Sequence, residues 1–189
     1  MSAVPESDLT RAEARRKLGL AEAVPVLLAF GLIAPYKGLE YLVSALGQWR
    51  RAGQRFSLVI AGRVKECPDY WQHVDALIKQ ESLTDCVITH RRHIPDGEVE
   101  IYFKAADALV MPYRKIFQSG VIFLAWRFGL PVIATDVGSL REMITEGKNG
   151  FLCRADDAAD LARTLDRFVA SDLYSDPERH RAEIRQDAY

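Results

Sequence analysis

The sequence predicts an α/β fold built on a doubly wound parallel sheet. Apolar runs such as Val24–Gly31 and Phe56–Gly62 are hydrophobic nearly throughout, as expected of strands that helices cover on both faces. The segment between them, Gly38–Ala52, instead places its leucines and valine at helical spacing. Because strand-like and helix-like segments of this kind alternate along the whole chain, a parallel sheet with helices on both faces follows.

The remaining elements continue the alternation. We predict strands over six apolar runs: Val24–Gly31, Phe56–Gly62, Cys86–Thr89, Ala108–Met111, Val132–Ala134 and Gly150–Leu152. Helices are predicted where apolar periodicity coincides with capping or turn residues: Gly38–Ala52, Pro68–Glu81, 95–104, Gly120–Phe128, Ser139–Thr145, Asp156–Ala170 and Asp176 to the end. The strands at Ala108–Met111 and Val132–Ala134 each end in loop-forming sequence, so their carboxyl ends are expected to open onto one crevice, where ligands of such sheets bind.

Size and charge exclude several classes of function. The 189 residues suit one domain, and the net charge of -1 offers no global field for nucleic acid or an anionic membrane. The basic run of Arg11, Arg15, Arg16 and Lys17 is interrupted by Glu13, and we interpret it as a solvated helix face. No apolar run approaches the roughly 20 residues that a membrane-spanning helix needs.

Cysteine use predicts a reducing compartment. Cys67, Cys86 and Cys153 are widely spaced, without CxxC pairs, so reduced thiols in a cytoplasmic protein are expected. No signal peptide opens the chain, although a longer protein could meet a membrane through parts outside this sequence. Residues 1–13 are expected to form a loosely ordered lead-in, and residues 14–189 the folded domain.

Four ordered segments together resemble a known family. They are residues 30–46, 58–62, 93–113 and 128–152. The chain over roughly residues 14–172 resembles the C-terminal, nucleotide-sugar-binding domain of GT-B glycosyltransferases, in particular retaining family 4 (glycosyl transferases group 1), whose domain is Rossmann-like. The resemblance implies transfer of a sugar from a nucleotide diphosphate sugar to an acceptor hydroxyl. It also implies that the N-terminal acceptor domain is absent, and that no metal or cofactor is bound.

Two residues near the first strand are candidates for donor binding. Lys37 is predicted to start a helix, where backbone N–H groups and the helix dipole already favour an anion. The matching lysine of the family contacts the donor's phosphates. Gly31 ends the first strand, where the absence of a side chain admits a close ligand, and in the family this loop faces the interdomain cleft. A plain turn at the end of a strand explains Gly31 equally well.

A second phosphate-binding cation is harder to place. The family usually has an arginine five residues before its lysine, but Leu32 occupies that position. Gly62 and Arg63 follow the second strand and are included in the predicted donor site. Arg63, Arg114 and Lys115 are the candidates for the missing cation, although for each of them the interpretation as an ordinary surface charge is favoured over donor contact.

The loop before the helix at Gly120 departs from the family. Two glutamates are expected there, and counting back from Gly129 places Ile116 and Leu124 at their positions. The loop instead offers Gln118, Ser119 and Gly120, with an amide, a hydroxyl and the N–H groups of a helix start; similar Gln-Ser-Gly sequences occur in branches of the family. We predict donor contact here, against the alternative that Ser119 is a simple helix cap.

Other chemistry is less well supported. His90 and His93 have neither helical spacing nor a nearby carboxylate or cysteine, so no metal site is predicted. No catalytic residue can be assigned, and the acceptor, the nucleotide and the sugar stay open. The alternatives are a non-catalytic nucleotide-sugar-binding module, a subunit of a split transferase, or an epimerase of GT-B architecture. A dinucleotide-dependent oxidoreductase is least favoured because the first strand lacks a following GxGxxG.

Overall fold

The computed structural model describes residues 7–116 and 119–187. All strands in this part pair in parallel, and the sheet order is β3-β2-β1-β4-β5-β6. The strands have these bounds: β1 Val26–Phe30, β2 Ser57–Ala61, β3 Val87–His90, β4 Ala108–Met111, β5 Val132–Thr135 and β6 Gly150–Cys153. The predicted doubly wound α/β fold is confirmed, with each strand within two residues of its predicted bounds.

Helices separate and flank the strands. They have these bounds: α1 Arg11–Leu18, α2 Leu39–Arg51, α3 Pro68–Gln80, α4 Asp96–Ala105, α5 Gly120–Arg127, α6 Leu140–Met143, α7 Ala158–Val169, α8 Asp172–Ser175 and α9 Pro177–Asp187. A 3-10 turn at Pro35–Lys37 precedes α2. The cap of α7 is Asp157, whose side chain accepts the Asp160 N–H, rather than the predicted Asp156. The short α8 was not predicted.

Two groups of helices enclose the sheet. Helix α2 packs against α3 and α7, whereas α1 packs against α4, and α5 against α9. Connections between parallel strands are right-handed as a rule, and with this strand order they place the two groups on opposite faces of the sheet. This arrangement agrees with the nearly complete burial of β1, β2, β4 and β5. Among the described residues, no helix is long and apolar enough to cross a membrane.

The strand order creates one reversal of direction. From β1 the chain winds through β2 to β3 on one side, then crosses back to β4 and continues through β5 to β6 on the other. Strands β1 and β4 are therefore neighbours, with Leu27 opposite Ala108 and Leu28 opposite Leu109. Connections leave their carboxyl ends in opposite directions, and this opens a crevice there.

A buried ionic cluster attaches α1 to the opposite end of these two strands. Asp107 lies just before β4 and accepts hydrogen bonds from Arg15 Nη2 at 2.6 Å and from the Val26 N–H at 2.8 Å. Arg11 also pairs with Asp107. Arg15 is only 3% exposed, so the prediction of a solvated helix face was wrong for this residue, although Arg16 and Lys17 are exposed. Arg11 and Arg15 hold α1 onto the sheet.

The boundary of the folded domain also lies earlier than expected. Thr10 caps α1 in a reciprocal arrangement with Glu13, and α1 already begins at Arg11. The Ser7 N–H donates to Glu100 at 2.8 Å. Residues 7–13 therefore belong to the folded domain, whereas residues 1–6 of the predicted lead-in lie outside the described part of the chain.

The Asp107 cluster yields a stability prediction. Replacing Asp107 with Ala leaves the buried Arg15 guanidinium without its carboxylate, which is expected to lower the free energy of unfolding by about 3–5 kcal/mol. Urea denaturation measures the change. Asp85→Ala is the control, because Asp85 is 65% exposed in its pair with Arg50 and should cost at most about 1 kcal/mol. Equal losses in the two variants would contradict a special role for Asp107.

Candidate functional site

The crevice at the carboxyl ends of β1 and β4 is the candidate site. It encloses about 270 Å³ of space, part of it open to solvent. We call it the switch-point crevice, and its lining includes Gly31, Leu32, Lys37, Leu39, Pro112 and Tyr113. Most of the lining is apolar, so its few polar atoms determine what it can bind.

Lys37 supplies a buried positive charge in this crevice. Its side chain is 8% exposed, and no carboxylate within residues 7–116 or 119–187 forms an ion pair with it. Burial lowers the pKa of the Lys37 ammonium to about 8, because the charged form loses its hydration. A buried cation without an anionic partner costs stability, which makes it a candidate for ligand binding.

The local backbone differs from the prediction that Lys37 starts a helix. Lys37 ends the 3-10 turn, and Gly38 then adopts a φ of +64° before α2 begins at Leu39. A Cβ on Gly38 would lie 2.0 Å from the Pro112 carbonyl oxygen, so only glycine allows the turn to pack against the end of β4. This packing brings Lys37 into the crevice.

The start of α2 is not the anion site that the sequence suggested. The Leu39 N–H donates to the Tyr70 hydroxyl at 2.9 Å. Tyr70 in turn donates to the Glu40 carboxylate. This helix start is therefore already occupied by a side chain and bears a negative charge, which leaves Lys37 itself as the anion-binding group at this position.

Tyr113 is a site residue that sequence reasoning missed. Its hydroxyl accepts a hydrogen bond from Lys37 Nζ, which also lies 4.1 Å from the centroid of the Tyr113 ring. Thr135 Oγ1, at the end of β5, donates to the Tyr113 carbonyl oxygen at 2.5 Å. Burial raises the pKa of the Tyr113 phenol, so the hydroxyl keeps its proton. The available signal was its position two residues beyond β4, at the carboxyl end of a switch-point strand.

The start of α5 lies beside the same tyrosine. Ser119 occupies the N-cap position, but its side chain makes no capping hydrogen bond. Its hydroxyl instead interacts with the Tyr113 hydroxyl and counters part of the rise in the phenol's pKa. Gly120 is exposed as the first residue of α5. The structure thus brings Ser119 and Lys37 to one hydroxyl group; the predicted Gln118 lies outside the described residues.

Gly31 and Gly62 have different roles. Gly31 lines the crevice, and a Cβ there would lie 3.9 Å from Lys37 Nζ. Gly62 has a φ of +151°, and a Cβ on it would lie 1.8 Å from the Gly31 carbonyl oxygen. Gly62 is therefore needed for the close approach of the loops after β1 and β2. Gly62 packs against Gly31, which lines the crevice, but is not itself among the lining residues. The prediction had grouped Gly62 with the donor-binding residues.

The candidate second cations do not gather at Lys37. Arg63 is exposed, and its carbonyl oxygen accepts the Ile33 N–H at 2.9 Å. Arg114 forms an ion pair with Asp156 at 2.9 Å and lies 4.0 Å from Glu40, so acidic residues already neutralise it. Lys115 is exposed on the same loop. Lys37 is thus the cation that lines the crevice within the described part of the chain.

Three apolar residues stand where the family resemblance implies charged ones. Leu32 lines the crevice and is 39% exposed. Ile116 and Leu124 are partly buried and pack against the core. Their side chains offer no hydrogen-bonding atoms, so polar recognition is concentrated at the Lys37 end of the crevice.

The histidines serve structural contacts. His90 Nδ1 lies 2.7 Å from the Tyr102 hydroxyl, and the two rings meet edge to face. His93 is exposed. No group of three or more metal-binding side chains occurs among the described residues. Metal-independent function stays a prediction.

Comparison with known proteins decides the family. The profile of the family described as "Glycosyl transferases group 1" matches residues 24–171, which includes every strand and the whole switch-point crevice. The chain belongs to this family. The resemblance noted in the sequence is thereby confirmed.

Relatives in the family and similar structures agree with this assignment. The chain is 34% identical to a D-inositol 3-phosphate glycosyltransferase of an Arthrobacter species, over 93% of the chain and 42% of the relative. It matches sucrose-phosphate synthase from Thermosynechococcus elongatus with a TM-score of 0.79 and 25% identity, over 93% of the chain and 44% of that structure. Anabaena HepE, solved in complex with UDP-glucose, shares the fold with a TM-score of 0.76 and 21% identity, over 97% of the chain and 52% of that structure.

The chain spans less than half the length of the first two of these proteins. The family assignment therefore applies to this domain. What the longer relatives do as whole proteins does not transfer to it directly.

The burial of Lys37 predicts an unusual stability change. Lys37→Met removes a desolvated charge and should raise the free energy of unfolding at pH 7 by about 1–3 kcal/mol. The folded protein holds this proton less tightly than the unfolded chain, so wild-type stability rises as pH increases from about 8 to 10.5. The difference between the two proteins should therefore shrink over this range.

Urea denaturation between pH 7 and 10.5 measures both effects. Lys79→Met is the matched control, because Lys79 lies on the exposed face of α3 in a pair with Asp75 and should change stability by no more than about 0.5 kcal/mol. A Lys37→Met protein less stable than wild type at pH 7 would show that Lys37 serves the fold rather than a ligand.

Proposed function

We propose that this domain is the donor-binding half of a retaining glycosyltransferase and binds a nucleotide diphosphate sugar in the switch-point crevice. The observation that carries the proposal is the buried Lys37 ammonium, which has no carboxylate partner among the described residues and lies beside the start of α5. A diphosphate supplies the negative charge that this ammonium lacks. The crevice also lies where ligands of doubly wound sheets bind.

The proposed site would stabilise the charge of a leaving group. Cleavage of a sugar–phosphate bond leaves additional negative charge on the diphosphate, and a fixed ammonium in a largely apolar crevice interacts strongly with that charge. The N–H groups at the start of α5 add a positive dipole end nearby. The domain would thus contribute charge stabilisation and positioning. We assign no group to the acceptor's proton.

The choice of nucleotide follows from related proteins. HepE has the same fold and was solved with UDP-glucose, which makes uridine diphosphate the first ligand to test. The relative from Arthrobacter is named for transfer to inositol 3-phosphate, which illustrates an acceptor of this family without identifying the acceptor here.

A non-catalytic binding module is the second candidate. The observation in its favour is the apolar character of Leu32, Ile116 and Leu124, which removes hydrogen-bonding groups from the crevice region. Such a domain could hold a diphosphate at Lys37 without orienting a sugar for transfer. The two candidates share nucleotide binding and differ in turnover.

Isothermal titration calorimetry tests the shared step. We expect wild-type protein to bind UDP and UDP-glucose at pH 7, and Lys37→Met to bind them about 10- to 100-fold more weakly, since a hydrogen bond to a charged group is lost. Lys79→Met should bind as wild type does. Chelation by EDTA should leave the affinity unchanged. Absence of binding to UDP- and GDP-sugars alike would contradict the proposal.

Turnover separates the candidates. In a full-length protein that contains this domain, UDP-glucose cleavage that depends on an added acceptor supports the transferase, whereas tight binding without cleavage favours the binding module. Conversion of the donor to its epimer without any acceptor would replace both proposals with an epimerase.

A further inference from the structure

We infer that Tyr113 is a phosphate-positioning residue. Its hydroxyl holds the Lys37 ammonium and the Ser119 hydroxyl in one cluster, and it donates a hydrogen bond to an oxygen of the diphosphate. This inference rests on the proposed function, because it concerns how the same crevice would bind its anion. It assigns a role to a tyrosine that the sequence analysis did not select.

The hydrogen bonds of the Tyr113 hydroxyl leave its proton available. A phenolic hydroxyl has one proton to donate and can accept further hydrogen bonds, whereas an ammonium only donates. The Lys37 ammonium therefore donates to the Tyr113 oxygen. The Ser119 hydroxyl interacts with the phenol and can donate to the same oxygen, since a hydroxyl both donates and accepts. Apart from that hydroxyl, no acceptor for the Tyr113 proton occurs among the hydrogen bonds of the described residues.

The hydrogen bond donated by Lys37 also makes that proton a better donor. It withdraws electron density from the phenolic oxygen, and chains of hydrogen bonds strengthen one another in this way. Burial keeps the phenol protonated, since it raises the pKa of Tyr113 well above its usual value. The hydroxyl would thus act as a neutral donor beside the cation and add a second contact for a diphosphate in a crevice where Leu32 offers none.

The surroundings hold the Tyr113 side chain in one position. Its side chain is 2% exposed, and Thr135 Oγ1 holds its carbonyl oxygen at 2.5 Å. The Tyr36 ring packs edge to face against it, with centroids 6.2 Å apart. A donor that is fixed before the ligand arrives loses little conformational freedom on binding, which favours affinity.

The test substitution is Tyr113→Phe, which keeps the ring and removes the hydroxyl. We expect UDP to bind about 10- to 100-fold more weakly, because a hydrogen bond to a charged ligand is lost. Tyr174→Phe is the matched control, since Tyr174 lies on α8, packs against Phe168 and does not line the crevice. It should bind UDP as wild type does.

The pH dependence of binding separates positioning from a structural role. Wild-type affinity should fall as pH rises through about 8, where Lys37 loses its proton in the free protein. The phenol accepts a hydrogen bond from the charged amine, so its removal should lower the midpoint by about half a unit to one unit. Tyr36 on its own turn and Tyr113 after β4 contact Lys37 directly. The next titratable or charged groups are Tyr70 on α3 and Arg114 after β4, which lie against Leu39 and Gly38, and Glu40 on α2, which contacts both of them.

Titrations of UDP at pH 6.5 to 9.5, with thermal denaturation of each variant, give a definite result. Weaker binding together with a lowered midpoint supports the inference. Unchanged affinity, or weaker binding with an unchanged midpoint and a lower melting temperature, overturns it. If the wild-type protein binds no nucleotide, the proposed function fails together with this inference. If the wild-type protein and Tyr113→Phe bind UDP equally well, only the inference about Tyr113 fails.

Discussion

A buried ammonium that has no anionic partner among residues 7–116 and 119–187 is the constraint around which the carboxyl edge of this sheet is organised. Lys37 reaches its position because Gly38 lets the preceding turn pack against the Pro112 carbonyl, and Gly31, with a φ of +104°, lies beside the Lys37 ammonium. Tyr113 then supplies both a ring face and a hydroxyl acceptor to the ammonium. These contacts offset only part of the desolvation cost, as the lowered pKa of Lys37 indicates. The crevice therefore contains a buried positive charge that an anionic ligand can neutralise.

At the opposite edge of the same strands, two arginines form ion pairs with a buried carboxylate of the chain itself. There Arg11 and Arg15 share the Asp107 carboxylate, which also accepts the Val26 N–H, while Arg181 beside them donates to the Ala106 carbonyl oxygen. Both edges lie at the junction of β1 and β4, but the arginines at one edge have a carboxylate partner, whereas Lys37 at the other has none among the described residues. This contrast separates the part of the molecule that stabilises the fold from the part available for binding. It accords with the location of ligand sites at the carboxyl ends of parallel strands.

Sequence periodicity was sufficient to predict every described strand, because buried parallel strands are continuous apolar runs bounded by turns. The periodicity placed the crevice at the carboxyl ends of β4 and β5, whereas the structure forms it between β1 and β4, because the order of strands in the sheet is set by long-range pairing. It could not predict that Lys37 is buried, since burial depends on the packing of the loop after β4, far along the chain. Tyr113 was missed for the same reason: next to a proline at the end of a strand, a tyrosine resembles an ordinary packing residue. Arg15 was misjudged because its partner Asp107 lies 92 residues away. Residues whose roles arise from long-range contacts carry no local signal in the sequence. The same holds for Gly38 and Gly62, whose roles become visible only when the positions of the Pro112 and Gly31 carbonyl groups are known.

The central claim is that the Lys37 ammonium binds a polyanionic ligand. Measuring the uptake of protons when UDP binds tests this claim most directly. At pH 9 the free protein should hold Lys37 largely neutral, while UDP is fully ionised, so binding that recharges the ammonium must draw a proton from the buffer. Calorimetry of UDP binding at pH 9 in two buffers of different ionisation enthalpy counts these protons. The account predicts uptake of between about half a proton and one proton per UDP bound, and none for Lys37→Met. Binding to the wild-type protein with no proton uptake, or with release, would contradict it.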